Sequence, residues 1–557
     1  VIWNQTYLLF GHGLAFSCVL ASLPVLTLIL LLGVLRKPAW MASPCGLLVA
    51  FLVATLAYRM PVRLALSAAA NGAAFGLFPI LWIILWAIVL FRITVETGQF
   101  EIIKNSIGHL TPDPRLQALL IAFAFSGFLE GAAGFGTPVA IAATMLVGLG
   151  FSAFNASAIC LLANTAPVAF GSIGIPVITL ALTTGLSPMK LGAAVGDLCA
   201  PLACILPIYL MLAMGGIRAT RGIWLPLAVA GAVFGGGEFL VSNLLGPQLT
   251  DIVASIATIL ALVAVLKLRP ASDSTDIDHS FAVHSPVRSD RGEQREAAPA
   301  PPLPPAHTAA EVLHAWAPYG ILVVCVMLWG WAPLHDLLNI PSIAIHWPGL
   351  DDFVQRMPPI VRGPSPYHAV FAFNWLAAPG TACMVATLLS AVFLRISLAR
   401  FARVFLAVLH QLLLPTITVL SVLALAFLMN YSGATATLGL AFAATGSLFP
   451  FFSALLGWFG VFLTGSDTSS NALFGNLQVV TAQRLGFSPV LMAAASSAGG
   501  VMGKMISLQT IAIAAAATGL TPSDQSKLFR FVLRHSILLA ILTGCIALGF
   551  AYILKLG

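Results

Sequence analysis

The sequence predicts an all-α polytopic membrane protein of about twelve transmembrane helices plus two hairpins, built from inverted-topology repeats. Three observations predict it. Of 557 residues, 59% are hydrophobic and only 8% are charged. A soluble domain carries about 25% charge, so most of this surface has to face lipid. Uncharged apolar stretches of near-spanning length recur from end to end, among them 13–35, 41–58, 76–91, 315–333 and 535–553. They lack the alternation of barrel strands, which leaves helices as the way to satisfy the backbone in lipid. Short motifs also return, in the same order, about 335 residues downstream.

Charge flanks order the elements. No basic stretch precedes the first span, which is long for a signal peptide and reads as a retained helix. Arg36 and Lys37 follow it, placing its end in the cytoplasm and the N-terminus outside. Residues 1–75 are N-terminal spans, with 41–58 returning outward. Residues 76–220 form a first transport repeat, whose opening helix runs inward and ends near Arg92 and Lys104; a hairpin is expected at 116–150. Residues 221–267 are connecting spans that follow Arg218 and Arg221. The tract 268–310, rich in Pro, Ala, Ser and Asp and containing PAPPLPP at 299–305, reads as a disordered cytoplasmic linker. Residues 311–394 hold further spans around an ordered external loop at 335–365. Residues 395–557 form a second transport repeat with a hairpin at 447–486. Lys527, Arg530 and Arg534 precede the last span, which places the C-terminus outside.

Several function classes drop out. The net charge of +7 comes from these flanking clusters, and no basic stripe with interleaved aromatics exists for a nucleic acid. The eight Cys residues lie in apolar segments without a CxxC pair, which argues against a disulfide framework or a zinc site. No HExxH or GxSxG set lies at bilayer depth, so an intramembrane hydrolase lacks its machinery.

The repeat is concrete. FLEG at 128–131 matches FLTG at 462–465, LGFS recurs at 149–152 and 485–488, and TGLSP at 184–188 matches TGLTP at 518–522. Thr97 and Gly98 match Ser432 and Gly433, and Pro79 matches Pro415. The helix before Gly98 runs inward, whereas the one before Gly433 starts after Arg395, Arg400 and Arg403 and runs outward. The copies are therefore inverted, an architecture whose sites form where broken helices meet near the midplane.

Breaks of that kind are visible at GAAGFGTP (131–138), GSDTSSN (465–471), NTAPVAFGSIGIP (164–176) and GGVMGKMIS (499–507). Unwound helix ends expose backbone N–H groups that attract a carboxylate. The candidate anion ligands are Gly131, Gly134, Phe135, Gly136 and Thr137 at the first tip, with Asn164 at the break that follows. In the second half they are Thr468, Ser469, Ser470 and Asn471, with Lys504 and Ser507 at the break. A charge at bilayer depth costs several kcal/mol, so Lys504 is either a counter-ion to substrate or a fixed partner for Asp467 or Glu130. Glu130, Asp467 and Asp197 are the candidate proton-coupling carboxyls; the competing reading is that they cap exposed N–H groups. Glu238 reads as structural. The run Asp467–Asn471 also suits a sodium ion, although Lys504 nearby disfavours a second cation.

Beyond this spacing, FLEGAAGFGTPVAI (128–141), NTAPVAFGSIGIP (164–176), FLTGSDTSSNALFG (462–475) and GKMIS (503–507) resemble the lactate permease family, as do TGQFEIIKNSI (97–107) and RMPPIV (356–361). The resemblance spans nearly the whole chain; GTP at 136–138 and SLQ at 507–509 depart modestly from the family pattern. It implies a carrier of the bacterial inner membrane that brings in L-lactate, D-lactate and glycolate with protons, by elevator-type motion, with no metal and no cofactor beyond the proton gradient. The residues alone reach a small-anion carrier with lipid as its other partner, and they leave its oligomeric state open. Rival readings are a sodium-coupled carboxylate transporter and, less favoured by the repeats, an anion channel.

Overall fold

The computed structural model describes residues 2–10, 13–35, 37–108, 110–134, 137–268, 307–361 and 363–554. Phe135, Gly136 and most of the 268–310 tract lie outside the described residues. Among the described residues, twelve helices are long and apolar enough to cross a membrane, or thirteen if a bent pair counts as one span. The chain is a multi-pass α-helical membrane protein.

Helices α1 (Leu14–Leu28) and α2 (Ala39–Leu52) precede α3 (Val62–Phe75) and α4 (Trp82–Glu96), which follow end to end over 35 residues across a break at Phe78 (φ −139°, ψ 127°). After α5 (Gln99–Gly108), α6 (Pro114–Ala118) continues through Leu119–Phe125 into α7 (Ser126–Ala132), and α8 (Thr137–Gly148) follows as the second arm of a hairpin. Helices α9 (Ala153–Ala163) and α10 (Gly171–Thr184) form the bent pair, at 66°. Three long helices follow: α11 (Pro188–Thr220), α12 (Trp224–Leu244) and α13 (Thr250–Leu268).

The second part runs α14 (Ala309–Gly330), α15 (Ala332–Asn339), α16 (Pro379–Phe393) and the 35-residue α17 (Leu398–Ser432). Beyond α18 (Ala434–Phe442), α19 (Phe449–Thr464) and α20 (Asp467–Leu485) make the second hairpin. Then come α21 (Pro489–Lys504), α22 (Leu508–Thr518) and α23 (Pro522–Gly549). Short strands β1 (Trp3–Asn4), β2 (Ile343–His346), β3 (Val354–Arg356), β4 (Ser365–Pro366) and β5 (Val370–Phe373) form two small sheets, β1-β3-β4 and β2-β5. The ordered loop thus reaches Phe373, past the expected end at 365, because β5 closes antiparallel on β2.

The repeated motifs are helix punctuation. Gly185 and Gly519 end α10 and α22 in the left-handed conformation (φ 71° and 73°), which costs glycine no Cβ clash. Ser187 and Thr521 then cap α11 and α23 by accepting from the Lys190 and Asp524 amides. The LGFS copies do the same work: Ser152 and Ser488 cap α9 and α21 through the Asn155 and Leu491 amides. Each cap satisfies a helix N–H that has no intrahelical acceptor.

The two 35-residue spans lie against each other and run in opposite directions. Gly72 faces Leu423, Phe75 stacks on Phe427 with ring centroids 5.1 Å apart, and Arg92 donates to Gln411 at 2.9 Å. Gly433 ends its span beside the N-terminal segment, whose Gln5 amide donates to the Asn430 and Tyr431 carbonyls at 2.9 and 2.8 Å. That segment also joins the loop sheet, Trp3 pairing with Val354. The N-terminal segment, the 343–373 loop and the Gly433 end therefore share one face.

In the second part, small residues set helix spacing. A Cβ on Gly457, Gly499 or Gly503 would collide with the backbone oxygens of Ser496, Ala454 and Trp458, so α19 and α21 touch backbone to backbone. Because a backbone atom cannot move aside, Gly499→Leu is expected to destabilise the solubilised protein by about 1–3 kcal/mol. A lowered thermal unfolding midpoint in detergent is the readout. Gly148→Leu, at an exposed site with nothing within 4 Å, should leave that midpoint in place.

Candidate functional site

The breaks in the two halves interlock. The first hairpin tip meets the break of its own half: the Ser172 hydroxyl donates to the Ala133 carbonyl at 3.2 Å, and Gly134 (φ 58°) passes directly beneath Ser172. Ser172 and Ile173 themselves sit at φ 48° and 61°. Non-glycine residues rarely adopt that region, and such strain collects at functional sites. The second tip mirrors this, with Gly465 against Gln509 and Ser507. Contacts also cross between halves, since the Asn471 amide donates to the Pro176 carbonyl at 3.2 Å and Gly475 packs on Leu180.

Lys504 closes α21, where a cation complements the helix dipole. Its Nζ lies 2.6 Å from Glu130 Oε1. The other Glu130 oxygen accepts from the Asn164 amide at 3.0 Å. Lys504 is 9% exposed and Glu130 2%, so this is a buried, doubly supported ion pair spanning the two halves. Gly171 makes room for it: a Cβ there would stand 2.9 Å from Glu130 Oε1.

Asp467 opens α20, beside the N-cap Ser466, where a carboxylate suits the positive helix end. Its Oδ2 accepts from Ser497 at 2.9 Å and from Asn471 at 3.1 Å, while Oδ1 has no hydrogen-bond partner. Glu130 and Asp467 thus sit on different arms of their hairpins. Glu130 lies on the first arm of its hairpin, aligned with Thr464, whereas Asp467 begins the second arm.

A cavity of about 660 Å³ lies between them. Its polar wall includes Glu130, Ser172, Asp467, Ser469, Lys504 and Ser507, and its apolar wall includes Val168, Ile175 and Phe462. Thr468 and Thr510 also line it. The cavity extends to Lys37 in the α1–α2 turn, to Trp40 at the start of α2 and to Gln525 at the start of α23. Because α1 starts beside the N-terminal segment, with the Leu9 amide donating to Ser17 at 2.8 Å, Lys37 at its far end marks the opposite face. Lys504 inside and Lys37 at the far end, two carboxyl groups and several hydroxyls on an otherwise apolar wall can hold a small anion that also carries a hydroxyl.

The remaining sequence candidates fall elsewhere. Gly131 packs on Asp251 and Ile252 of α13, and Gly134 serves the turn under Ser172. Ser470 turns toward the Gly457 carbonyl, and Asn471 braces Asp467 against Pro176. Thr137 begins α8; Phe135 and Gly136 are outside the described residues. Asp197 is not in the cavity wall and accepts from Asn243 at 3.0 Å. Glu238 and Asp251, which the sequence reading did not bring to the site, are 0% and 1% exposed. Ser172, Gln509 and Thr510 were missed as individuals, although Ser172 lies inside a flagged break; Asp251 carries no local signal.

Comparison with known proteins agrees with the early resemblance. The family model described as L-lactate permease matches residues 17–554. The glycolate permease GlcA of Escherichia coli K12 is 41% identical over 560 residues, covering 99% of both chains. The L-lactate permease of Salmonella typhimurium LT2 is 43% identical over 567 residues, again covering 99% of both. That of Bacillus subtilis 168 is 41% identical over 560 residues and 97% of both.

Proposed function

The chain belongs to the L-lactate permease family, and we propose that it is a secondary active transporter that carries L-lactate, D-lactate and glycolate with protons across the bacterial inner membrane. The observation that supports coupling is the buried Lys504–Glu130 pair in the cavity wall. A substrate carboxylate that takes Lys504 leaves Glu130 as an unpaired buried anion, which costs several kcal/mol. A proton on Glu130 removes that cost. Substrate binding and proton uptake then favour each other, and the cluster has the same net charge empty as loaded. The 2-hydroxyl of the substrate is received by the Ser and Thr hydroxyls facing the same cavity.

The antiparallel 35-residue spans and interlocked breaks favour reading the architecture as inverted repeats with elevator-type motion. The cavity extends toward the face bearing Lys37, which the positive-inside rule makes cytoplasmic. The N- and C-termini are then external, and the form described is open toward the cytoplasm.

One observation favours sodium instead: Asp467 Oδ1 is unpartnered beside Thr468 and Ser469. Proteoliposomes separate the two. An inward proton gradient is expected to drive lactate accumulation with choline replacing all sodium, and a protonophore should collapse it. Accumulation that requires sodium and ignores the protonophore would overturn proton coupling.

A further inference from the structure

Behind the Lys504–Glu130 pair, outside the cavity wall, α13 and α12 bring up two more acids. Asp251 is 1% exposed and Glu238 is 0% exposed. None of their four carboxyl oxygens has a hydrogen-bond partner. Glycines create this approach. A Cβ on Gly131 would lie 2.7 Å from Asp251 Cβ, and one on Gly127 would lie 2.7 Å from Ser255 Oγ. Helix α7 therefore lies with its glycine face on α13, and the residue after Glu130 touches Asp251. On the other side, a Cβ on Gly237 would lie 3.1 Å from Ala254, which draws α12 and Glu238 onto the same helix. The hydroxyls of Ser126 on α7 and Ser255 on α13 are buried there too and also lack partners.

An acid within a transmembrane helix is costly even on the lenient scale. A structural acid offsets that cost with hydrogen bonds, and these two make none. The titratable groups acting on Asp251 are Glu238 from α12, Glu130 from α7 and Lys504 from α21; on α11, Cys199 faces both acids and Cys204 faces Glu238. The other elements packed on α13, namely α10 and the Leu119–Phe125 segment, carry no titratable residue.

We propose that Asp251 and Glu238 form a second protonatable site, whose ligand is the proton, and that it supplies Glu130 from behind without using the substrate cavity. The inference rests on the proton-coupled reading above. In the transfer, the Asp251 carboxyl gives its proton to the Glu130 carboxylate. Glu130 becomes the neutral acid and frees the Lys504 ammonium for the substrate carboxylate. Asp251, now the anion, takes the proton of Glu238, and Glu238, fully buried in this form, recovers one from the aqueous side of the gradient when the transport motion exposes it. The Ser126 and Ser255 hydroxyls stand on the two facing helices and can relay the proton.

The test compares two modes in proteoliposomes of the full chain, with radiolabelled lactate. For Asp251→Asn, counterflow at equal pH is expected to fall less than threefold, while the initial rate driven by an inward proton gradient falls at least tenfold. Glu238→Gln should show the same split, and it serves as the test if Asp251→Asn fails to fold. A gradient-driven rate that stays within threefold in both variants overturns the proposal. So does an equal loss of both modes, which would mark the acids as structural. If the unaltered protein itself ignores the proton gradient, the coupling reading has failed first and this site falls with it; if it responds and the variants do too, only this inference fails.

Discussion

Lys504→Gln is expected to weaken lactate binding severely and to slow both modes of transport, counterflow included. Truncating one member of a buried, hydrogen-bonded charge pair costs about 2–5 kcal/mol. At tenfold per 1.4 kcal/mol, that is a roughly 30- to 3000-fold loss of lactate affinity. The variant also leaves Glu130 buried without its cation, 374 residues away in sequence, so a folding defect could imitate a binding defect. The double variant Lys504→Gln with Glu130→Gln separates them. With neither charge present, the thermal midpoint should return toward that of the unaltered protein, while lactate affinity stays low. Equilibrium binding of radiolabelled lactate in detergent gives the answer, and a single variant that keeps its affinity within threefold would take Lys504 out of the substrate site.

What the sequence revealed and what it hid divide along the range of the interaction. TGLSP and LGFS are legible because each is a helix stop followed by a helix start, enforced by a left-handed glycine and a capping hydroxyl within four residues. The four breaks are legible for the same reason. Pairing across the bilayer is another matter. Nothing local says that Lys504 meets Glu130 and leaves Asp467 to Ser497 and Asn471. Gly131 looks like part of a turn because Gly134 and Gly136 follow it, yet it serves close packing on Asp251. Asp251 itself reads as an ordinary acid in the first turn of a helix. Only the approach of α7 turns it into a buried neighbour of the ion pair. Asp197 differs again: it lies within an apolar stretch, outside the cavity wall, where an asparagine on the adjacent helix donates to it.

On the proposed proton-coupled reading, Glu130→Gln is expected to separate transport from its driving force. The amide keeps the shape of the side chain, and its oxygen can still accept from Asn164, now 3.0 Å from Oε2. What it cannot do is alternate between an anion that holds Lys504 and a neutral acid that releases it. Lactate becomes the sole counter-ion for Lys504, so counterflow persists at a reduced rate, slowed by tighter binding. Accumulation against a gradient disappears, because no proton accompanies the substrate. The pH dependence of affinity should disappear with it. Where binding takes up one proton, acidification strengthens lactate binding by up to about tenfold per pH unit; with glutamine in place, the affinity should be flat over the same range. The two readouts are independent, since one is a flux under a gradient and the other a titration at equilibrium. If Glu130→Gln still concentrates lactate under a proton gradient and its affinity still sharpens in acid, the proton rides on another group. Asp467, with one carboxyl oxygen unpartnered and its side chain in the same cavity wall, is then the next to substitute.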